Sequence, residues 1–519
     1  MVQYMDKNSG FAQWNANKNA SEKKSPFSGF LWWFMIFVGV WWILGALMAP
    51  KTTEIANDAT PQVDISAVPV VNLENEDIKF EVQGLRISDI ELKKFNVSAS
   101  DKLPVTLLGD KSYAEFGLVA NGTTAPNTTT IWTEKNGAMT WRNSDGVEFT
   151  RTITTDQYTI QVSDTIKNNT GRDLSFAPYG RIARTNDIQN SAGVSVGAIA
   201  YENNDLERID WRKMDKRSFA YTTTTGFIGF ADQYWETVLA LNVPDQTMTL
   251  KKTSDIYGAD VVAHAQTIAP GATVNISYVI YTGPLEPSAL DTANKYINGI
   301  DNTIDYGWFG FLARPMLWFI NALNSLVLNY GVAIILMTLI LRMLMWPLTR
   351  KSYTSMIAMQ KMQPEMQRIQ KLYANDKMRL QMEMMKLYQT HKTSPMSGCL
   401  PMLIQIPIFF ALYKALLVSV QMRSANFLWI SDLAVMDPYF ILPILMGATM
   451  WLQQYLQSPS RGKASNKNDI TAQTQKMMRW MPVLFTIMFA WMPAGLVLYW
   501  TVSNIFGIVQ MYVIKKAGK

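Results

Sequence analysis

Arg342 is the residue whose position in this sequence most needs a chemical explanation. It lies inside an apolar stretch, residues 329–348, that is otherwise long enough to cross a bilayer. A guanidinium near the middle of a spanning helix costs at least about 2.5 to 3.5 kcal/mol, and it keeps its proton. Two explanations are open: the side chain reaches the membrane surface near Arg350 and Lys351, or it faces a polar, water-containing recess.

Residues that carry out covalent chemistry are not evident elsewhere. The large polar region, residues 51–305, has no cysteine–histidine cluster, no phosphate-binding glycine loop and no nucleophile elbow. We therefore expect a protein that is not an enzyme and that uses no metal and no cofactor. Cys399 is the only cysteine, so the chain cannot form an internal disulfide.

Apolar segments long enough to span a bilayer surround this polar region. They predict a polytopic α-helical membrane protein with five transmembrane helices, at residues 30–48, 324–348, 398–420, 438–456 and 481–502. The mean hydropathy of 0.00 is thus an average over two unlike parts. The first segment follows several lysines and precedes Pro50 without a small-residue cleavage site, which favours an uncleaved signal anchor.

The distribution of charge predicts how these helices are oriented. Residues 349–397 carry nine Lys or Arg and three Asp or Glu, and residues 458–480 carry five and one. Because basic residues collect on the cytoplasmic side, four segments are expected there. They are residues 1–29, 349–397, 457–480 and 503–519. Residues 51–305 hold 22 basic and 33 acidic residues, a net charge of −11, and are expected on the opposite side together with the short loop 421–437.

The exported region, residues 49–305, has the pattern of a β-sandwich. Short alternating or apolar runs recur between turn dipeptides such as Asn136-Gly137 and Asp145-Gly146. About 250 residues with this pattern can form one large two-sheet domain. The clearest predicted strands are residues 148–153, 158–162, 238–243 and 273–281.

An aromatic segment, residues 306–323, follows the exported region and contains Pro315. Aromatic rings favour the headgroup zone of a membrane, so we predict an amphipathic segment that lies along the outer surface. Pro315 favours a bend before the chain enters the bilayer. The alternative is a simple N-terminal extension of the second span, 324–348.

A helical hairpin is predicted for the cytoplasmic residues 349–397, which divide at Ala374-Asn375-Asp376. Methionines recur at helical spacing on both sides of this break, and flexible methionines line surfaces that accept varied apolar partners. Those expected to form such a surface are Met356, Met359, Met362, Met366 and Met382. The alternative is that they only pack the two helices together.

Several ordered motifs resemble those of the bacterial YidC membrane protein insertases. They are RMLMWPLT at 342–349, YTSM at 353–356, QP at 363–364, GCLPMLIQIPIF at 398–409, DPY at 437–439 with ILPILMG at 441–447, and PAGLVLYW at 493–500. The resemblance is strongest over residues 306–515. The N-terminal anchor and the large exported region match the Gram-negative form. Met396-Ser397 and Trp500 depart from the residues that are common in the family.

This resemblance implies an insertase that inserts, folds and assembles proteins of the inner membrane, alone or with the Sec translocon. The exported region would be a periplasmic β-supersandwich, and the core helices would enclose a hydrophilic groove open to the cytoplasm and to lipid. Arg342 matches the groove arginine of the family. The other residues expected to line the groove, from their positions and side chains, are Thr338, Gln405, Tyr499, Trp500 and Ser503. The implied partners are nascent membrane proteins, the Sec translocon, membrane lipids, and components of the ribosome and the signal recognition particle, but not DNA.

The chemistry of these residues is consistent with that groove. Thr338 lies one helical turn before Arg342 and can share its face. Gln405 either lines the groove or forms a structural hydrogen bond between helices, worth on average about 0.6 kcal/mol. Tyr499 and Trp500 either contact the apolar helix of a substrate or pack within the protein.

Two other classes of protein remain open from the sequence. A solute transporter would use Arg342 as an anion site, but it predicts an internal repeat or paired half-helices that we do not find. An enzyme acting on sugars would use the exported sandwich. His264 is the only histidine of that region, and no carboxylate pair can be assigned beside it.

Overall fold

The computed structural model describes residues 64–98, 102–109, 111–135, 137–185, 196–391, 400–457 and 470–517. The predicted segments 1–29 and 30–48, Cys399 and most of the predicted loop 457–480 lie outside these residues. The sheets and the site described below belong to one compact unit, which is formed by described residues between 64 and 457 and between 479 and 517.

The first of two antiparallel sheets has ten strands. In spatial order these are β1 (Val70–Glu74), β2 (Ile78–Gln83), β3 (Arg86–Asn96), β5 (Tyr113–Asn121), β10 (Leu174–Thr185), β17 (Ile256–Ala263), β16 (Gln246–Thr253) and β13 (Phe219–Thr223), with β4 (Pro104–Leu107) beside β3 and β18 (Gln266–Ile268) beside β10. Strand β2 shows why this sequence forms a half-buried sheet, because every second side chain is buried: Ile78, Phe80 and Val82.

The second sheet has nine strands. In order these are β12 (Asp205–Asp210), β11 (Gly197–Glu202), β14 (Gly226–Ala231), β15 (Trp235–Leu241), β19 (Thr273–Pro284), β9 (Thr159–Lys167), β8 (Glu148–Asp156), β7 (Ala138–Arg142) and β6 (Thr133–Lys135). The two sheets pack face to face. The ring of Phe116 in β5 lies 5.4 Å from that of Tyr278 in β19, and the ring of Phe176 lies 5.9 Å from that of Phe149. The predicted β-sandwich is confirmed.

A buried ion pair lies in the core of this sandwich, between two neighbouring strands of the second sheet. Arg151 in β8 donates two hydrogen bonds of 2.7 Å to the two carboxylate oxygens of Asp164 in β9. A further hydrogen bond of 2.8 Å reaches the carbonyl of Phe116, in the opposite sheet. Both charged residues are almost fully buried, and the guanidinium lies 5.3 Å from the ring of Trp132. The charge is therefore neutralised by a bidentate partner inside the domain.

Helices follow the sheets along the chain. Short helices α1 (Trp211–Met214) and α2 (Pro287–Ala293) and a 3₁₀ turn (Ile300–Thr303) belong to the sandwich region. The remaining helices are α3 (Gly310–Val327), α4 (Tyr330–Leu344), α5 (Trp346–Leu372), α6 (Lys377–Thr390), α7 (Leu400–Val418), α8 (Ile441–Gln457), α9 (Ile470–Phe489) and α10 (Ala494–Ala517). Residues Val420–Met422 form a second 3₁₀ turn after α7.

The prediction that the aromatic segment, residues 306–323, is broken at Pro315 is wrong, because helix α3 occupies most of this segment. It continues through Pro315, which lies in its second turn and removes a single backbone hydrogen bond, so the expected bend does not occur there. The break comes instead at Leu328, which has a left-handed conformation, and Asn329 then caps α4 by accepting a hydrogen bond from the amide of Val332. Helix α3 is thus a separate element and not an extension of α4.

The predicted second span, 324–348, is also shorter than expected. Helix α4 ends at Leu344, and the chain bends by 64° into α5. Pro347 lies in the first turn of α5, where a helix has no use for an amide proton, so its position fits the start of a new helix. The hairpin therefore begins at Trp346, at the end of the segment that carries Arg342.

The predicted fifth span, 481–502, is not one helix. Helix α9 ends at Phe489 and α10 begins at Ala494, with Pro493 in the turn between them. The first free amides of α10, from Ala494 and Gly495, donate to the carbonyls of Val435 and Leu433 in the loop before α8. Those two hydrogen bonds replace the helical bonds that a continuous span would have had.

Among the described residues, one helix is both long and apolar enough to cross a membrane, at Ala494–Lys516. The bent pair Tyr330–Leu344 and Trp346–Leu372 meets the same criterion when taken together, and Leu403–Val418 and Trp480–Phe489 are shorter apolar helices. The helical part of the predicted fold is therefore present, whereas its division into five spans is not.

Candidate functional site

Arg342 lies on the last turn of α4, where it faces α10. Its Nε donates a hydrogen bond of 2.7 Å to Oγ of Ser503, and its Nη2 donates to the same oxygen. Ser503 is buried, whereas Arg342 is partly exposed. The sequence placed both residues in one groove, and the structure brings them into direct contact.

Helix α10 carries a line of polar side chains toward this arginine. Tyr499, Ser503 and Gln510 are separated by four and seven residues, so they share one face of the helix. Gln510 is fully buried, and its Nε2 donates a hydrogen bond of 3.2 Å to the main-chain carbonyl of Arg342. Its Oε1 has no hydrogen-bond partner in the described part of the chain. We did not identify Gln510 from the sequence, although its heptad spacing from Ser503 was the available signal.

A second polar pair lies beside this line. Nε2 of Gln405 in α7 lies 2.5 Å from the hydroxyl oxygen of Tyr499 and donates to it. Tyr499 is almost fully buried and Gln405 is partly exposed. The pair therefore forms an interhelical hydrogen bond that joins α7 to α10. This is one of the two roles expected for Gln405. Tyr499 lies one helical turn from Ser503, which contacts Arg342.

Thr338 and Trp500 are placed differently from the polar line. Thr338 is fully buried, and its hydroxyl donates a hydrogen bond of 2.6 Å to the carbonyl of Ile334 in its own helix. Trp500 is half-buried in an aromatic cluster, with ring centroids 5.3 Å from Phe409 and 5.2 Å from Phe489. In this structure Thr338 presents no free hydroxyl to a groove, and Trp500 forms part of an aromatic wall.

The site contains a positive charge, the Arg342 guanidinium, without a neighbouring negative charge among the described residues. In the part of the chain that the structure describes, no carboxylate lies within ion-pair distance of Arg342, and the charged or titratable neighbours that act on it are the tyrosines Tyr499 and Tyr353. A neutral serine offsets little of the cost of desolvating a guanidinium. The site is thus suited to attracting negative charge, polar groups or water.

The hairpin begins directly after this site. Helices α5 and α6 pack against each other, and His391, at the end of α6, lies 3.4 Å from Glu365 of α5. Of the predicted methionines, Met362 is buried, Met356 packs on a cluster with α10, and Met359 and Met366 are half-buried. Met382 is 53% exposed and lies on α6 with two other exposed methionines, Met378 and Met385. The accessible methionine surface is therefore on the second helix.

The opposite end of the helix bundle contacts the sandwich. Lys414 near the end of α7 forms a 3.0 Å ion pair with Asp305, and Gln233 donates to the carbonyl of Leu417. Arg423, in the loop after α7, donates to the carbonyls of Asn96 and Val97. The β-sandwich thus lies at the end of the bundle where α7 finishes, and the hairpin lies at the end where α4 finishes.

Apolar helices around a cationic site, joined to a large β-sandwich, define a helical membrane protein with an extramembrane domain. Comparison with protein families agrees: residues 322–519 match the family described as 60Kd inner membrane protein, and residues 71–319 match the YidC periplasmic domain. The chain belongs to the YidC family of membrane protein insertases.

Similar proteins cover nearly the whole chain. The membrane protein insertase YidC of Magnetococcus marinus is 34% identical over an alignment of 486 positions, which covers 88% of this chain and 85% of the relative. The protein of the same name from Brucella suis is 34% identical over 90% of this chain and 82% of its own length. A solved structure of an active YidC insertase covers 86% of this chain and 95% of its own, at 18% identity and a TM-score of 0.36. The predicted family and insertase function are confirmed, and the transporter alternative is not favoured.

Proposed function

We propose that this insertase draws the polar end of a substrate to Arg342 while the apolar helix of the substrate moves along the lipid side. The observation that supports this is the state of the guanidinium, which is held by Ser503 and has no carboxylate partner among the described residues. Such a cation attracts an acidic or polar segment and is hydrated when none is present.

The proposed topology has six membrane passages instead of five. They are the predicted anchor, residues 30–48, followed by α4, α7, α8, α9 and α10. The division of residues 481–502 into two helices supports this count, because an even number places the N-terminus and the basic tail, with Lys515 and Lys516, on the same cytoplasmic side. The chain is then a multi-pass protein of the bacterial inner membrane with its β-sandwich in the periplasm.

The dimensions of α4 suit a shortened path across the membrane. Its 15 residues extend over about 22 Å, less than the roughly 30 Å of a typical hydrocarbon core. Because Arg342 lies on its last turn, water that enters from the hairpin end meets the cation before it reaches the sandwich end. A polar segment then crosses less hydrocarbon than it would in open lipid.

Substrate capture is assigned to the hairpin. The exposed methionines of α6, including Met382, give apolar segments of varied sequence a deformable surface on the hairpin that follows the site along the chain. Once the polar end reaches Arg342, the apolar segment leaves by partitioning into lipid past Trp500 and its aromatic neighbours. For an acidic segment, the membrane potential adds about 2.3 kcal/mol per charge per 100 mV.

The proposed partners follow from this route. Nascent membrane proteins are the substrates, and membrane lipids receive them. The Sec translocon is a partner for larger substrates. The basic residues of the hairpin, such as Lys361 and Arg368, suit contacts with the ribosome or with components of the signal recognition particle.

Replacing Arg342 tests the electrostatic part of the proposal. In cells depleted of their own insertase, Arg342→Lys should retain more insertion of an acidic-tailed substrate than Arg342→Ala, and Arg342→Glu should retain least. The loss in Arg342→Ala should be about tenfold, the effect of roughly 1.4 kcal/mol of lost attraction. Insertion is measured by protease accessibility of the translocated tail.

Two controls separate this effect from misfolding. Arg350→Ala removes an exposed arginine two turns further along and should insert the substrate normally. Insertion of a substrate with an uncharged tail should differ less among the Arg342 variants than insertion of the acidic-tailed substrate does. Equal insertion of the acidic tail by Arg342→Lys, Arg342→Ala and Arg342→Glu would contradict the proposal.

A further inference from the structure

A cavity of about 250 Å³ lies between α2, the turn at Ile300–Thr303 and helix α3. At about 30 Å³ per water molecule it has room for a group of roughly eight waters, near the lower end of ligand sites. Its lining is chemically mixed and includes apolar side chains such as Leu290 and Leu317 together with charged and polar groups. Nothing in the proposed insertion route uses it.

The charged groups of this cavity are one cation and two carboxylates. Arg314 projects from α3 and lies 5.3 Å from the ring centre of Tyr306, and it forms no ion pair with the described residues. Asp291 and Asp301 come from the opposite wall. Burial raises the pKa of the Tyr306 phenol, Arg314 opposes the rise, and Asp291 adds to it, so both charges act on the same ring.

A third acceptor completes the set. Oδ1 of Asn321, one of the lining residues, is buried without a hydrogen-bond partner in the described structure. A buried acceptor that lacks a donor costs about 1 to 3 kcal/mol, so a donor is expected there when the site is filled. With Asp291 and Asp301, the cavity offers three acceptors, the number that matches the three N–H groups of a primary ammonium.

The position of helix α3 indicates where the ligand comes from. One face of the helix packs on α4 and α7, and the other exposes Phe311 (76%) and Trp318 (71%), beside the fully exposed Trp308. Aromatic side chains exposed in this way lie at the headgroup level of a membrane. Trp318 also lines the cavity, so its rim lies at that level under the proposed topology, on which this step rests.

We propose that the cavity binds the headgroup of a zwitterionic aminophospholipid of the outer leaflet. Arg314 binds the phosphate, and Asp291, Asp301 and Asn321 accept hydrogen bonds from the ammonium, while the acyl chains pass Trp318. A headgroup that is anionic and has no amine is repelled by the two carboxylates, which outnumber the single arginine. A choline headgroup has no N–H group to donate to the three acceptors.

Native mass spectrometry of the full-length protein in detergent tests this assignment. Phosphatidylethanolamine, phosphatidylcholine and phosphatidylglycerol with identical acyl chains are added separately at equal concentration. The wild-type protein should retain phosphatidylethanolamine about tenfold better than either of the others, the effect of a charge-assisted hydrogen bond. Equal retention of the three lipids would overturn the proposal, as would binding of soluble glycerophosphoethanolamine without binding of the lipid.

Variants locate the site. Arg314→Ala and Asp301→Asn should each lower retention of phosphatidylethanolamine about tenfold, and Asn321→Leu should reduce the preference over phosphatidylcholine. Arg350→Ala is the matched control and should leave the preference unchanged. Unchanged preference in all three cavity variants would place the lipid elsewhere and refute the assignment. Because lipid retention is measured without a substrate, failure here is distinct from failure of the Arg342 route.

Discussion

Two arginines of this chain are removed from bulk water in opposite ways. Arg151, inside the β-sandwich, has a bidentate carboxylate partner, a carbonyl acceptor and an aromatic neighbour. Arg342, in the helix bundle, has a serine hydroxyl and remains partly exposed. A charge whose counter-charge is supplied within the fold contributes to structure. A charge left without one is available to a ligand, and the proposed function rests on that difference.

The largest expected effect tests the structural half of this comparison. Asp164→Asn keeps the shape of the side chain but leaves the Arg151 charge buried without a counter-charge, so the sandwich should lose about 3 to 5 kcal/mol of unfolding free energy. The measurement is the urea dependence of protease resistance of the exported domain in the full-length protein. The double variant Arg151→Met with Asp164→Leu should recover most of the loss. A cost below about 1 kcal/mol for Asp164→Asn would mean that Asp164 is not needed to stabilise the buried Arg151 charge.

Glu236 extends the comparison, because it is a buried carboxylate of the sandwich that lacks a complete set of hydrogen-bond partners. Glu236 in β15 is fully buried, its Oε1 accepts from Thr303, and its Oε2 has no partner in the described residues. Burial raises its pKa to about 8, and the Thr303 hydroxyl and the Arg208 guanidinium oppose the rise. Arg208 is itself bonded to the carbonyl of Thr303 and is influenced by Asp305.

Because the folded-state pKa of Glu236 lies above its unfolded value, its contribution is complete at pH below about 4.5 and is lost as pH rises toward 8. The sandwich should lose about 1.4 kcal/mol per pH unit within this window, or roughly 2 to 3 kcal/mol between pH 6 and 8. Urea unfolding of the full-length protein at several pH values measures this loss of unfolding free energy. The Glu236→Gln variant should not show the pH dependence. An equal slope in the wild type and in Glu236→Gln would show that another group is responsible.

A smaller effect is expected where the bundle holds its arginine. Ser503→Ala removes the hydroxyl that accepts both Arg342 hydrogen bonds and should cost only about 1 kcal/mol of stability. Insertion of an acidic-tailed substrate should fall about fivefold, because the guanidinium is less well positioned. Ser503→Thr retains the hydroxyl and should insert normally. If Ser503→Thr is as impaired as Ser503→Ala, the contact acts through packing and not through the hydrogen bond.

The smallest effect on stability is expected at the hairpin. Replacing Met378, Met382 and Met385 together by serine changes exposed side chains and should alter unfolding free energy by no more than about 0.5 kcal/mol each. Crosslinking of an apolar nascent segment to the hairpin should nevertheless fall. The matched control is Met362→Leu, a buried position of similar volume, which should leave capture unchanged. Undiminished crosslinking by the serine variant would leave the methionines without a role in capture.

The sequence was sufficient for elements with a strong repeating pattern. The predicted strands at residues 148–153 and 273–281 lie within β8 and β19, because short alternating or apolar runs leave a signal that needs no tertiary information. Arg342 and Ser503 were both expected to line one groove, but the hydrogen bond between them was not predicted. The hydrogen bond of Thr338 to its own helix was not, since helical spacing gives the face of a residue and not the partner of its hydroxyl.

The predicted fifth span shows what apolar composition alone cannot resolve. Residues 481–502 form one apolar run, and the turn at Pro493 is held in part by hydrogen bonds from Ala494 and Gly495 to a distant loop. Charge already conflicted with a single helix there, because five spans from a cytoplasmic N-terminus cannot end in a cytoplasmic tail. Gln510 was missed for a related reason: its partner is a carbonyl at the end of α4, which no side-chain pattern reveals.

Site-specific photocrosslinking to a stalled nascent chain tests the central claim most directly. A photoreactive residue is placed either in the acidic tail or in the apolar segment of the substrate, which is arrested with its tail only part-way across, so that Arg342 stays intact. The account predicts crosslinks from the tail to the end of α4 that carries Arg342, and from the apolar segment to Trp500. Thr338, which is buried, should be crosslinked much less. Crosslinks of both probes to lipid alone would contradict the claim that Arg342 receives the substrate.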